Sequence, residues 1–182
     1  MARILLVILT MGMFSSVAAE GMFTLSYGDV STDLENADAD PSGWRVNATF
    51  ETLPSKTNVV HGLTVGYIKT TADVTTAGQT TNYKLETIPF YYAPKMLLGK
   101  GAFKGFIKGA LGLHFSEYQR SGALGNISAN DTGFYGGASA GIMLMLGQKA
   151  FINAEYEWAY ISNTYYQDEE VASAMVGLGF KF

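Results

Sequence analysis

The chain has 182 residues, 48% hydrophobic and only 15% charged, with a net charge of −4. Cysteine is absent, which excludes a disulfide scaffold and a thiolate metal site. The acidic balance argues against a nucleic-acid partner.

Residues 1–19 read as a signal peptide. Arg3 gives a short positive start, Ile4 to Leu9 and Met11-Gly12-Met13-Phe14 form an apolar core, and Val17-Ala18-Ala19 is a small-residue cleavage site ahead of Glu20. The apolar run is shorter than the ~18–20 residues of a membrane-spanning helix. Residues 20–182 then form one domain, and no later apolar run in them is long enough for a membrane helix. The hydrophobicity is instead spread in alternation.

Eight segments alternate with a period of two. In the first, 21–29, Phe23, Leu25 and Tyr27 oppose Thr24, Ser26 and Gly28. The second, 44–53, sets Trp44, Val46, Ala48 and Phe50 against Arg45, Asn47, Thr49 and Glu51. The third, 59–69, sets Leu63, Val65 and Tyr67 against Gly62, Thr64 and Gly66. In the fourth, 83–93, Tyr83, Leu85, Pro89 and Tyr91 form the apolar face, with Lys84 and Glu86 opposite. Pro89 weakens that strand, because it cannot donate to a ladder. The fifth, 103–116, carries Phe103, Ile107, Leu111, Leu113 and Phe115 on one side and Lys104, Lys108, Gly112 and His114 on the other. The sixth, 132–146, sets Phe134, Ala138, Ala140, Ile142, Leu144 and Leu146 against Tyr135, Gly137, Ser139 and Gly141. The seventh, 151–161, sets Ile152, Ala154, Tyr156, Trp158 and Tyr160 against Asn153, Glu155 and Glu157. The last, 171–182, ends Val176, Leu178, Phe180, Phe182 on its apolar face and carries Lys181 on the other.

These segments leave connections 30–43, 54–58, 70–82, 94–102, 117–131, 147–150 and 162–170, in which long and short alternate. The long ones hold Asp33, Glu35, Asp38, Asp40, Asp73, Glu117, Asp131, Asp168, Glu169 and Glu170 against Arg120 alone, and the short ones hold Lys56, Lys95, Lys100 and Lys149. Each segment is long enough for the ~9–11 tilted residues that cross a bilayer core, and together they fit an all-β, eight-stranded antiparallel up-and-down transmembrane β-barrel, with long loops outside the cell and short turns and both termini in the periplasm. The apolar face ends in two aromatic bands, as membrane interfaces require. Tyr27, Trp44, Tyr67, Tyr83, Phe115, Phe134, Trp158 and Tyr160 lie at the long-loop end, and Phe23, Phe50, Tyr91, Phe103, Phe180 and Phe182 at the short-turn end. The opposite face holds Arg45, Glu51, Lys84, Glu86, Lys104, Lys108, Glu155, Glu157 and Lys181 among small polar residues, as a lumen closed by paired charges would. A lipocalin-like cup, with the apolar face inward, is the competing arrangement.

The region Val17-Ala18-Ala19, the segment Thr87-Ile88-Pro89-Phe90-Tyr91-Tyr92, Lys108-Gly109-Ala110-Leu111-Gly112, Gly136-Gly137-Ala138-Ser139-Ala140-Gly141 and the terminal Gly177-Leu178-Gly179-Phe180-Lys181-Phe182 together resemble the small eight-stranded outer-membrane barrels of Gram-negative bacteria, the opacity-protein and OmpA/OmpX-like group. The terminal strand is similar to the signal such proteins present to the barrel-assembly machinery, although Met175 stands where that signal usually carries a polar residue. The resemblance implies the bacterial outer membrane, contact with its lipid and lipopolysaccharide, a monomer, and an adhesin-like structural or surface-interaction role through the outer loops. It does not name a ligand.

Two rival functions rest on particular residues. His114 and Ser116 share a strand face, as a base and a nucleophile would, and some eight-stranded barrels act on lipid A. The Asn-rich continuation of the lipid A deacylase motif is missing, with Gln119-Arg120-Ser121 in its place, and the phase points both residues inward. Lys84, Lys104, Lys108, Glu86, Glu155 and Glu157 could instead line a narrow channel. The chain reads as a non-enzyme, with no catalytic, cofactor-binding or metal-ligating residue assigned. His61 reads as interfacial, and Asp33 to Asp40 is acidic but lacks the order of a calcium loop. Gly105, Gly109, Gly112, Gly136, Gly137 and Gly141 suggest close packing in a tightly curved wall.

Overall fold

The computed structural model describes residues 20–32, 34, 41–53, 58–76, 78–122, 125–166 and 169–182. The expected signal peptide and Asp33, Glu35, Asp38, Asp40, Lys56 and Asp168 lie outside the described residues. The elements are β1 (Glu20–Ser31), β2 (Ser42–Leu53), β3 (Val59–Thr76), β4 (Gln79–Tyr92), β5 (Lys95–Leu98), β6 (Phe103–Ser121), β7 (Ile127–Leu146), β8 (Ala150–Ile161) and β9 (Glu170–Lys181).

They pair in the order β2-β1-β9-β8-β7-β6-β4-β3, all antiparallel, and β2 pairs with β3 to close the ring. β4 and β5 form one stave, so the barrel has eight staves. The break falls at Ala93-Pro94, where the proline has no N–H. The ladder survives it, because Ala93 exchanges hydrogen bonds of 3.1 and 2.8 Å with Gly62, and Gly109 N–H donates to Pro94 O at 2.9 Å. Pro89 leaves a smaller gap. The β3–β4 register runs unshifted from Val65↔Phe90 to Ile68↔Thr87, skipping the pairs that contain Pro89 and Ile88. Gly66 leaves room for the ring, since a Cβ there would sit 2.9 Å from Pro89 Cγ. Gly21 and Phe182 exchange hydrogen bonds of 2.9 Å and fasten the start of β1 to the end of the last stave.

Closure removes every sheet edge from the barrel wall, a condition for a sheet that crosses hydrocarbon. The apolar faces point outward: Leu111 is 59% exposed, Val176 65% and Leu178 60%, whereas Arg45 and Glu157 are fully buried inside. This is the inverse of a lipocalin-like cup, and it is the arrangement that a bilayer stabilises. A Lys or Arg turned to lipid at mid-membrane costs about 2–4 kcal/mol.

Seven staves have the phase that alternation predicts, and the fourth is inverted. Tyr83, Leu85, Pro89 and Tyr91 face the lumen, while Lys84, Glu86, Phe90 and Tyr92 face outward. The stave is apolar on both faces between Leu85 and Tyr92, so hydrophobicity does not choose a parity. The Tyr91 hydroxyl does, because it finds an ion network inside. Lys84 and Glu86 can face outward because they lie at the rim, beside Tyr67, where the cost of a charge falls to about 0–1 kcal/mol. Tyr83 and Tyr91 therefore leave the aromatic bands, and Phe90 and Tyr92 join the short-turn band.

Three connections are also shorter than their polar sequence suggests. β3 and β4 continue as a hairpin to Thr76 and Gln79, turning at Gly78 with φ +78°, and β6 and β7 continue to Ser121 and Ile127. Lys95, expected in a turn, lies on β5 and points into the lumen.

Candidate functional site

The lumen is filled in layers. At the short-turn mouth, Met22, Val60, Phe106, Met143 and Phe151 form an apolar plug. Towards the long-hairpin mouth lies a second apolar cluster containing Ile68, Leu85, Tyr91, Tyr135, Ile161 and Tyr166. Charges gather around and between them.

Arg45 is the centre of this network. Its Nη1 lies 2.8 Å from Glu157 Oε1, Nε donates to Asn47 Oδ1 at 2.9 Å, and Nη2 donates to the hydroxyls of Tyr135 (2.8 Å) and Tyr91 (3.1 Å). Tyr135 and Tyr91 in turn donate to Glu157 Oε1 and Oε2. Their rings stack with centroids 4.8 Å apart. Lys108 pairs with Glu155 and lies 3.5 Å from Glu157 Oε2. Nearer the short-turn mouth, Lys95 Nζ is 2.6 Å from Glu51 and 5.2 Å from the centre of the Phe106 ring. A charge out of water needs an opposite charge and hydrogen bonds to its remaining donors, and the arginine has both. Of the candidate channel residues, Lys108, Glu155 and Glu157 meet in this network. Lys84 and Glu86 form a 3.0 Å pair on the outside instead.

His114 and Ser116 do come together. The Ser116 hydroxyl is 3.0 Å from His114 Nδ1, and His114 Nε2 is 3.0 Å from Ser162 O. A carbonyl only accepts, so Nε2 carries the proton and Nδ1 accepts from Ser116. The pair is buried, and Ser116 is crowded by Thr87 Oγ1 at 2.9 Å and Asn163 Nδ2 at 3.4 Å. No carboxylate among the described residues hydrogen-bonds the imidazole. The group ties the segment Ser162–Tyr166 into the mouth: Tyr166 reaches Thr87 at 3.2 Å, and Asn163 Oδ1 accepts from the backbone N–H of Tyr165 and Tyr166. Leu34, which bridges to Tyr166, is buried with it. This inward fold of the last loop has no periodic signature and was not legible in the sequence. His61 faces outward against Tyr92 at the short-turn band, as an interfacial residue would.

Beyond the barrel rim, β3, β4, β6 and β7 rise as a four-stranded sheet. β2 pairs with β3 only as far as Thr71, and β8 with β7 only from Tyr135. Among the described residues, β3 beyond Thr71 and β7 before Phe134 therefore have no neighbour on one side. Ser162 N–H donates to Phe134 O, so alternate residues Thr132, Asn130 and Ser128 turn their backbone groups to the open edge. Asp131 Oδ1 already accepts the Thr132 N–H at 2.8 Å. On the inner face of the raised sheet, Tyr118 stacks on Tyr165 and lies beside Tyr83, and burial pushes its phenol up.

The glycines divide into two kinds. A Cβ at Gly112 would lie 2.1 Å from Phe90 O, and at Gly141 2.4 Å from Ala154 O, so these positions accept no side chain. Gly137 is nearly as tight, and Gly136 lies under the Phe134 ring. Gly105 and Gly109 meet only ordinary contacts at 3.7 Å, so the close-packing expectation fails there.

No protein-family model and no curated protein matches the chain. Solved structures do. The attachment invasion locus protein Ail of Yersinia pestis has a TM-score of 0.60 at 15% identity, over 91% of this chain and 100% of that one. The same protein in complex with the heparin analogue sucrose octasulfate gives 0.55 at 17%, with the same coverage. Neisserial surface protein A gives 0.56 at 15%, over 90% and 96%. The chain thus has the fold of the small eight-stranded outer-membrane barrels.

Proposed function

We propose that the chain is a surface-interaction protein of the bacterial outer membrane, adhesin-like, and not an enzyme. Residues 1–19 direct export and residues 20–182 form the barrel. Outward apolar staves between two aromatic bands support the membrane placement. The observation that carries the interaction reading is the raised sheet, whose β7 edge is open among the described residues. Unpaired N–H and C=O groups on an exposed strand recruit an added strand from a partner. A barrel that served only as a membrane anchor would have no need of the extended hairpins, which bring such an edge clear of the lipid.

The other readings find less support. The inward charges are buried between apolar clusters towards both mouths, which favours a closed lumen over a channel. Ser116 is enclosed on the lumen side, out of reach of lipid. The heparin analogue of the Yersinia pestis complex also suits this chain poorly, because Asp73, Glu117, Asp131, Glu169 and Glu170 make the rim acidic and repel a polyanion.

The test is adhesion of bacteria displaying the chain to epithelial monolayers and immobilised matrix proteins. Asn130→Pro removes an open-edge N–H without touching the β6 ladder. Adhesion above that of cells lacking the chain, lost in this variant, is the expected result. Equal adhesion with and without a surface-displayed, folded barrel refutes the reading.

A further inference from the structure

The inner face of the raised sheet holds a group that neither the lumen network nor the open edge uses. Tyr118 and Tyr165 stack almost parallel, at 4° with centroids 4.6 Å apart, and Tyr83 lies 6.5 Å from Tyr118. Arg120 stands opposite Tyr83 in the β4–β6 register. All four are only half-buried, although they sit above the apolar plug and away from the lipid-facing wall. Arg120 forms no ion pair or hydrogen bond among the described residues, nor do the three tyrosine hydroxyls. It is the one cation among the described residues on that face.

This is an unusual use of side chains. The three tyrosines lie half-buried against the top of the apolar cluster, which leaves part of each ring free, and among the described residues the guanidinium has no carboxylate for the bidentate pairing to which it is suited. In the lumen the same chain gives its arginine a full set of partners. Flat aromatic faces take the C–H face of a pyranose ring, phenols exchange hydrogen bonds with its hydroxyls, and a guanidinium takes a carboxylate. The surrounding acidic rim admits one negative charge beside Arg120 and disfavours many.

We propose that Tyr83, Tyr118, Tyr165 and Arg120 form a binding platform for a carboxylated sugar residue, with the ring on the tyrosines and the carboxylate on Arg120. The platform shares with the proposed function only the placement of the raised sheet outside the cell. It does not require the open β7 edge, so the two can fail separately.

The experiment is saturation-transfer difference NMR on the folded full chain in lipid nanodiscs, with glucuronic acid, glucose and a fully sulfated oligosaccharide as probes. Glucuronic acid should show transfer to its ring protons with millimolar affinity. Glucose should bind several-fold more weakly, and the sulfated oligosaccharide no better than glucuronic acid. Arg120→Gln should weaken glucuronic acid roughly tenfold or more, the range of a charge-assisted hydrogen bond, and Arg120→Lys should restore part of it. Tyr118→Ala should abolish transfer. The outward Lys84→Gln and the edge variant Asn130→Pro should leave sugar binding unchanged, and heat-modifiable gel mobility confirms that each variant is folded. Absent transfer from glucuronic acid, equal binding of glucose, tighter binding of the sulfated probe, or undiminished binding in Arg120→Gln would each overturn the proposal.

Discussion

Replacing Glu157 by Gln tests whether the lumen is a dry, fully paired core. In the native chain Glu157 answers Arg45 at 2.8 Å and Lys108 at 3.5 Å, with Arg45 and Glu157 both fully buried. The substitution leaves Lys108 with Glu155 and leaves Arg45 without a carboxylate partner among the described residues. An uncompensated buried charge costs about 3–5 kcal/mol, which lowers the folding constant roughly a hundredfold to several thousandfold. Arg45→Leu combined with the same Glu157→Gln removes both charges, and although Asn47, Tyr91 and Tyr135 lose their partner, the double variant should recover about 2–3 kcal/mol relative to the sum of the two single variants. The assay is urea unfolding of the barrel in lipid vesicles, followed by the fluorescence of Trp44 and Trp158, with heat-modifiable mobility as a second probe. Single-variant losses below about 1 kcal/mol that simply add would mean that water screens the charges, and the sealed-lumen argument would fall.

Three further outcomes follow from the same geometry. Gly112→Ala should give little or no heat-modifiable folded protein, since its Cβ would strike Phe90 O, whereas Gly109→Ala should fold within about 0.5 kcal/mol of the native chain; equal behaviour of the two would contradict the packing analysis. Planar-bilayer recordings of the folded chain should contain no conductance steps, and regular single-channel openings would show that the plugs at the two mouths do not seal. Ser116→Ala and His114→Ala should leave lipid A profiles identical to those with the native chain while costing about 1–3 kcal/mol of stability through orphaned partners; a changed profile would reinstate the catalytic reading.

Much of this architecture is written in alternation, because one face must suit lipid and the other a narrow polar lumen. Segments such as Phe151 to Ile161, with Glu155 and Glu157 set against Tyr156 and Trp158, leave a single choice of face. The fourth stave does not. Ile88, Phe90 and Tyr92 are as apolar as Leu85, Pro89 and Tyr91, and the rim charges Lys84 and Glu86 suggest the wrong parity because they lie above the hydrocarbon. The raised hairpins carry no alternation for a related reason: Thr70 to Thr76 and Ile127 to Asp131 are polar, since water borders both faces beyond the rim, and they read as loop. Lys95 reads as a turn residue because Pro94 precedes it. The tyrosine platform needs two separate pieces of chain, the raised sheet and the infolded Tyr165, and only the fold brings them together.

The arrangement of partners around Arg45 has a consequence for how the barrel comes into being. Arg45 lies on β2, Tyr91 on β4, Tyr135 on β7, Glu157 on β8 and Ser173 on β9. Neighbouring hairpins can zip locally, yet none of them alone satisfies this arginine; its partners lie 46, 90 and 128 residues away. Until the first and last staves meet, each intermediate carries charges that neither lipid nor a half-formed lumen accommodates. Contacts so distant in sequence make closure slow, and the mutual dependence of the charges makes it all-or-none. The barrel should therefore pass from open sheet to sealed cylinder in one late step, with few stable forms between.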